Sequence, residues 1–148
     1  MRNRVLVLAA ILTFVCAIMP LAAELPPSGG SLSACLVGTW DSRNDTGTVL
    51  QIVNPTNTYL LVKAAFYDDG EKKLKMIEEK MSPNDLWEID VLGLGLAAKF
   101  GVVKLISYGR DVPEIGIIGY QKQYLKGQLL DSTILQPVPI RYCGTFGG

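Results

Sequence analysis

From Thr48 to Tyr142 the apolar residues fall in short runs separated by turn residues. The cleanest run is Leu86 to Val91, where Trp87, Ile89 and Val91 alternate with Glu88 and Asp90. A period of two with one polar face marks a half-buried strand, because successive side chains point to opposite sides of a sheet. Thr48–Val53 and Thr58–Tyr67 are rich in branched and aromatic residues and read as strands, divided by the turn chemistry of Asn54-Pro55-Thr56-Asn57. Asp68-Asp69-Gly70 reads as a hairpin turn in which Gly70 supplies positive φ, and Leu74–Met81 as the returning strand. A short charged helix over Glu71–Lys80 is the competing reading, and the tight turn before it argues for strand. Ser82-Pro83-Asn84-Asp85 makes the next turn. Val102–Tyr108 is a further strand, Gly109–Pro113 turns the chain, and Glu114–Tyr124 follows as a strand. Ser132–Tyr142 is the last extended stretch, which Pro137 and Pro139 mark as an edge or irregular strand. About seven strands at this spacing predict an all-β fold, a single antiparallel β-sandwich.

Val91 to Ala98 breaks the pattern, being apolar throughout where a polar connection is normal. It predicts a loop or helical turn capping one end of the core. The alternative is an exposed apolar patch of Leu92, Leu94 and Leu96, flanked by Lys99 and Lys104, that meets a partner or a membrane surface.

The N-terminal segment changes the compartment. Arg2 and Arg4 precede a nearly unbroken apolar run from Val5 to Met19, and Leu21-Ala22-Ala23 supplies small residues near a cleavage point. Met1–Ala23 therefore reads as a cleaved signal peptide, with an uncleaved membrane anchor as the competing reading. Lipid modification at Cys16 is rejected because Val15 is bulky where a small residue is wanted. Residues 24–34 read as a Pro/Gly/Ser linker and residues 35–148 as the β-sandwich domain.

Removing Arg2 and Arg4 from the 14 basic residues leaves about 12 against 14 acidic ones, a formal charge of about −2. Without a basic excess to neutralise phosphates, nucleic acid is excluded as a partner, and adhesion to anionic membrane by charge alone is not favoured. Two cysteines remain beyond the signal segment, Cys35 and Cys143. In an oxidising compartment such a pair forms a disulfide, here expected to join the first and last strands and to pin the two layers together. Closing so long a loop is worth about 4–5 kcal/mol in the chain-entropy description.

From Thr48 to Pro137 the chain resembles the small β-sandwich of the sensory rhodopsin transducer family. The residues that carry the likeness are Asn54-Pro55, Phe66-Tyr67-Asp68-Asp69-Gly70, Ser82-Pro83-Asn84, Trp87 to Val91, Gly101 to Ser107, Pro113 and Gly119-Tyr120-Gln121. The resemblance implies a sandwich used for binding or assembly, able to form homo-oligomers. Family members of the transducer type work in the cytoplasm, and this chain departs from them in its signal segment and cysteine pair. The fold carries over, and no functional residue does.

The chain has no histidine, which removes the commonest general base, the usual Ser and Cys triads and the commonest zinc ligand. Carboxylate chemistry stays open through Asp68, Asp69, Glu78, Glu79, Glu88 and Asp90, whose simpler reading is turn and surface residues. Asp68-Asp69-Gly70-Glu71 lacks calcium-loop spacing, and Leu92 to Leu96 lacks the Gly-Lys-Ser/Thr of a phosphate loop. No catalytic residue, metal ligand or cofactor is assigned. Asn44-Asp45-Thr46 fits the N-glycosylation pattern. The tyrosines 59, 67, 108, 120, 124 and 142 read as core and edge residues before a binding face. The expected function is a non-catalytic, exported module that binds a protein partner or itself. A structural subunit of a surface layer or filament, which needs open sheet edges, is the alternative. A small carboxylate-dependent hydrolase comes third.

Overall fold

The computed structural model describes residues 33–109, 112–113 and 116–144. The segment read as a signal peptide, most of the stretch read as a linker, and the start of the strand expected from Glu114 lie outside the described residues. Among those described, the order is β1 (Cys35–Asp41), β2 (Thr46–Asn54), β3 (Leu60–Asp68), β4 (Lys73–Met81), β5 (Asp85–Asp90), β6 (Phe100–Gly109), β7 (Val112–Pro113), β8 (Ile118–Leu125), β9 (Gln128–Ile134), β10 (Gln136–Pro137) and a helical turn α1 (Ile140–Cys143). One antiparallel sheet runs β10-β1-β6-β3-β4 with β7 on the end of β6, and the other runs β5-β2-β8-β9. The all-β sandwich read from the sequence is the fold.

Period-two alternation builds each layer. Thr48, Leu50, Ile52 and Asn54 of β2 are buried, and Leu60, Val62, Ala64 and Phe66 of β3 face them across the sandwich. Trp40 and Phe66 are the largest buried side chains, packed with Leu36, Leu105, Ile117 and Leu135. Trp87 and Ile89 of β5 join this core while Glu88 and Asp90 stay exposed, as their alternation requires. Close packing also needs missing side chains. At Gly101 a Cβ would stand 1.9 Å from the carbonyl oxygen of Tyr67, the same oxygen that accepts the Trp40 indole N–H at 3.2 Å.

Four expectations need correction. Ser33 pairs with Ile117 and Ala34 is buried, so strand pairing reaches into the stretch read as linker. At the β3–β4 turn the positive φ belongs to Glu71, because the Asp68 carboxylate holds the N–H groups of both Gly70 and Lys72 and sets the turn itself. The last extended stretch is broken after Ile134 and Pro137, and the chain then turns helical, so Cys143 sits in α1 and in no strand.

The fourth concerns the sulfur link. Cys35 and Cys143 do form a disulfide, with Cα atoms 6.1 Å apart. It joins β1 to α1 on the outer side of the six-stranded sheet, in a small cluster with Ala65 and Ile106 that also takes Tyr67, Tyr108 and Val138. It therefore does not pin the two layers. Leu36 points into the sandwich, so its neighbour Cys35 must point out.

Candidate functional site

Sheet edges are where a sandwich is open to another chain, since an edge strand leaves a row of N–H and C=O groups unpaired. Three edges here are guarded. In the six-stranded sheet β10 is two residues long, contains Pro137, and pairs only with Leu36 and Val37. Beyond it, side chains of the opposite sheet close β1. Gln121 accepts the N–H of Thr39 at 3.1 Å, and the buried Thr48 hydroxyl accepts the N–H of Asp41 at 2.9 Å while donating to its carbonyl. The far edge, β4, carries Lys73, Lys75, Glu78, Glu79 and Lys80, and β5 carries Asp85, Glu88 and Asp90.

Strand β9 differs. It pairs with β8 on one side and closes the four-stranded sheet on the other. Its sequence Gln-Leu-Leu-Asp-Ser-Thr-Ile has one charge and no lysine or proline. Leu129 and Leu130 are exposed, Leu130 by 62%. The Asp131 carboxylate accepts the N–H of Ser132 at 2.8 Å and masks one edge donor.

The apolar segment after β5 splits between its two readings. A single 3₁₀ turn, Leu92–Leu94, follows Val91, which is buried. Leu94, Leu96 and Ala98 pack half-buried on the main core, and the Lys75 ammonium donates to the Leu94 carbonyl at 3.0 Å. They cap the sandwich end. Leu92 alone turns outward, 60% exposed, so the three leucines named from the sequence do not form one patch.

Leu92 instead borders a shallow cleft of about 530 Å³ on the outer face of the four-stranded sheet. Thr46, Gly47 and Val49 of β2 and Tyr124 of β8 line it, together with Asp90, the β1–β2 turn residues Ser42 and Asp45, and Gly127 of the β8–β9 hairpin. The two turns are tied, since Lys126 donates its N–H to the Asp45 carbonyl at 3.0 Å. A smaller hollow of about 270 Å³ lies against Tyr67, Asp68, Glu71, Val102 and Lys104 on the opposite face.

The carboxylates named from the sequence do not converge. Asp68 caps the β3–β4 turn, Glu78 faces Lys63 at 3.7 Å, Glu88 accepts from Gln51 at 2.8 Å and Asp90 accepts the Leu92 N–H at 3.0 Å. Among the described residues no cluster of three or more acidic or cysteine side chains could hold a metal ion, and no helix is long and apolar enough to cross a membrane. Asp41 is held below the usual carboxylate range by its hydrogen bonds to the Arg43 guanidinium, which lies over the Phe100 ring.

Lysines 63 and 104 sit over the rings of Tyr108 and Tyr67, and Lys80 over that of Tyr59. Tyr120 is buried, and Tyr59 and Tyr142 are exposed, so the tyrosines do not make one binding face. Asn44 is exposed in the β1–β2 turn at φ 51°.

No protein-family profile matches the chain, and no curated protein matches it. The fold is shared with a solved protein. The crystal structure of Thermotoga maritima 1070 superposes with a TM-score of 0.53 at 16% identity, over 74% of this chain and 97% of that one. At that identity the likeness is one of fold alone.

Proposed function

We propose that this protein is an exported, non-catalytic β-sandwich that binds another polypeptide, a partner protein or a second copy of itself, by adding a strand to β9. The observation that carries the reading is the contrast among the edges: three are shortened, sealed or charged, and β9 is seven residues long with a single carboxylate. Strand addition draws affinity from main-chain hydrogen bonds and specificity from alternate side chains, and the exposed Leu129 and Leu130 supply apolar contacts. Export is supported by the pattern of Met1–Ala23 and by a disulfide suited to an oxidising compartment. A binding or assembly role is also what the transducer-family resemblance implies.

The filament reading has less support. A polymer built by strand addition needs a second open edge, and Pro137 with the Gln121 and Thr48 seals argues against one at β1. The dispersal of the carboxylates gives the hydrolase reading no observation of its own.

Leu130→Lys tests the proposal, because it charges the open edge at an exposed position. Light scattering after size exclusion, and capture of partners by the immobilised protein, should show assembly in the natural protein and its loss in the variant at unchanged melting temperature. Assembly that survives the substitution sinks strand addition at β9.

A further inference from the structure

The cleft beside Leu92 has one sign of charge and one aromatic ring. Its charged lining residues are Asp45 and Asp90, from two different elements, and the rest of the lining is Val49, Leu92, Tyr124, two glycines and two hydroxyl residues. Lys122 and Lys126 stand nearby on β8 and its hairpin but do not line it.

Its floor is open by construction. Gly47 lies directly across from Tyr124 in the β2–β8 register. A Cβ built on Gly47 would meet nothing within 4 Å, so the space over the floor beside the tyrosine is unfilled. At the rim, Asp90 is oriented by the Leu92 N–H on its Oδ1, and among the described residues its Oδ2 has no donor.

We propose that the cleft is the seat of a lysine side chain presented by the protein partner, an assignment that rests on the partner-binding reading above. A lysine has an apolar stem and a compact cationic tip. Val49, Leu92 and Tyr124 line the cleft for the stem, and an aromatic ring in the same lining favours a cation. Three rotatable N–H donors suit two carboxylates on separate elements, whereas the planar fork of arginine suits one carboxylate held side-on. The volume, about 530 Å³, exceeds one side chain and leaves room for the backbone that delivers it.

The test is an amide-resolved NMR titration of the purified protein with Nα-acetyl-lysine N-methylamide, alongside Nα-acetyl-norleucine N-methylamide, which keeps the four-carbon stem and lacks the ammonium, and n-butylammonium. The lysine compound should shift the amides of Gly47, Asp90, Leu92 and Tyr124, and the norleucine compound should bind about fivefold more weakly or worse. Gly47→Val raises a side chain from the floor at a position where a Cβ meets nothing within 4 Å, and should abolish the shifts at unchanged melting temperature. Equal binding of the lysine and norleucine compounds, no shift at these amides up to the solubility limit, or undiminished binding by Gly47→Val would each overturn the site. Butylammonium binding as tightly as the lysine compound would make it a site for free amines and overturn the protein assignment. The readouts are separable: Leu130→Lys reports on the edge and Gly47→Val on the cleft.

Discussion

The side-chain oxygen of Gln121, in the four-stranded sheet, accepts the backbone N–H of Thr39, in the six-stranded sheet, at 3.1 Å. That bond replaces the ladder partner which β1 lacks beyond Val37. Gln121→Ala removes a buried side chain and leaves the N–H of Thr39, an exposed residue, to water. It is expected to lower stability by about 0.5–1.5 kcal/mol, measured by urea unfolding. The same variant reopens part of the β1 edge and should increase self-association at high protein concentration.

Asn54 holds two loops at once. Its amide donates to the carbonyls of Thr58 and Ser82, both at 2.8 Å, and its oxygen accepts from the backbone and hydroxyl of Thr56. The residue is fully buried, so Asn54→Ala strands several polar groups together. A loss of about 2–4 kcal/mol is expected in chemical denaturation, more than for any single exposed bond.

Replacing both Cys35 and Cys143 by serine should cost about 2–5 kcal/mol in thermal or chemical unfolding. The far-ultraviolet circular dichroism should remain that of a β protein, because the sandwich core excludes both sulfurs. Trypsin should cut sooner after Arg141, which lies in the turn that the bond tethers. Wholesale loss of strand signal in this variant would show that the link does hold the layers.

The Arg43 guanidinium beside Asp41 keeps its carboxyl ionised to lower pH than usual. A depressed carboxylate contributes stability that is present above its unfolded value, about 3.9, and is lost as pH falls through the lower folded value. Asp41→Asn should therefore melt below the natural protein at neutral pH, and the gap should close as pH falls through the lowered folded value. Both partners are solvent-exposed in part, so the difference is small and salt should shrink it.

What the sequence made legible, and what it hid, follows from locality. Strands with uninterrupted alternation, such as Leu86 to Val91, announced both their existence and their faces. In β1 the inward series is Leu36, Gly38 and Trp40, and a Cβ at Gly38 would meet Leu135 at 2.3 Å. The glycine that tight packing demands also erased the pattern. The start of β9 was missed because the β8–β9 hairpin turns on Lys126 and Gly127, both at positive φ, and lysine is no turn signal. A bulge beside Gln123 and Tyr124 then breaks the alternation of the pair.

The cysteine pairing was readable from the number of cysteines and the expected compartment, but its side of the sheet depends on one residue of parity. The cleft could not be read at all. It draws on segments around residues 45, 90 and 124, which only the sheet order brings together. The resemblance motif, by contrast, has a structural meaning. Asn54 ties two loops, Gln121 seals an edge and Gly101 admits the Tyr67 backbone.

The sulfur bridge spans 108 positions of chain across a Cα separation of 6.1 Å. A pull applied to the chain on either side of the domain would enter at one cysteine and leave at the other. The tension would bypass the sheets and load a covalent bond.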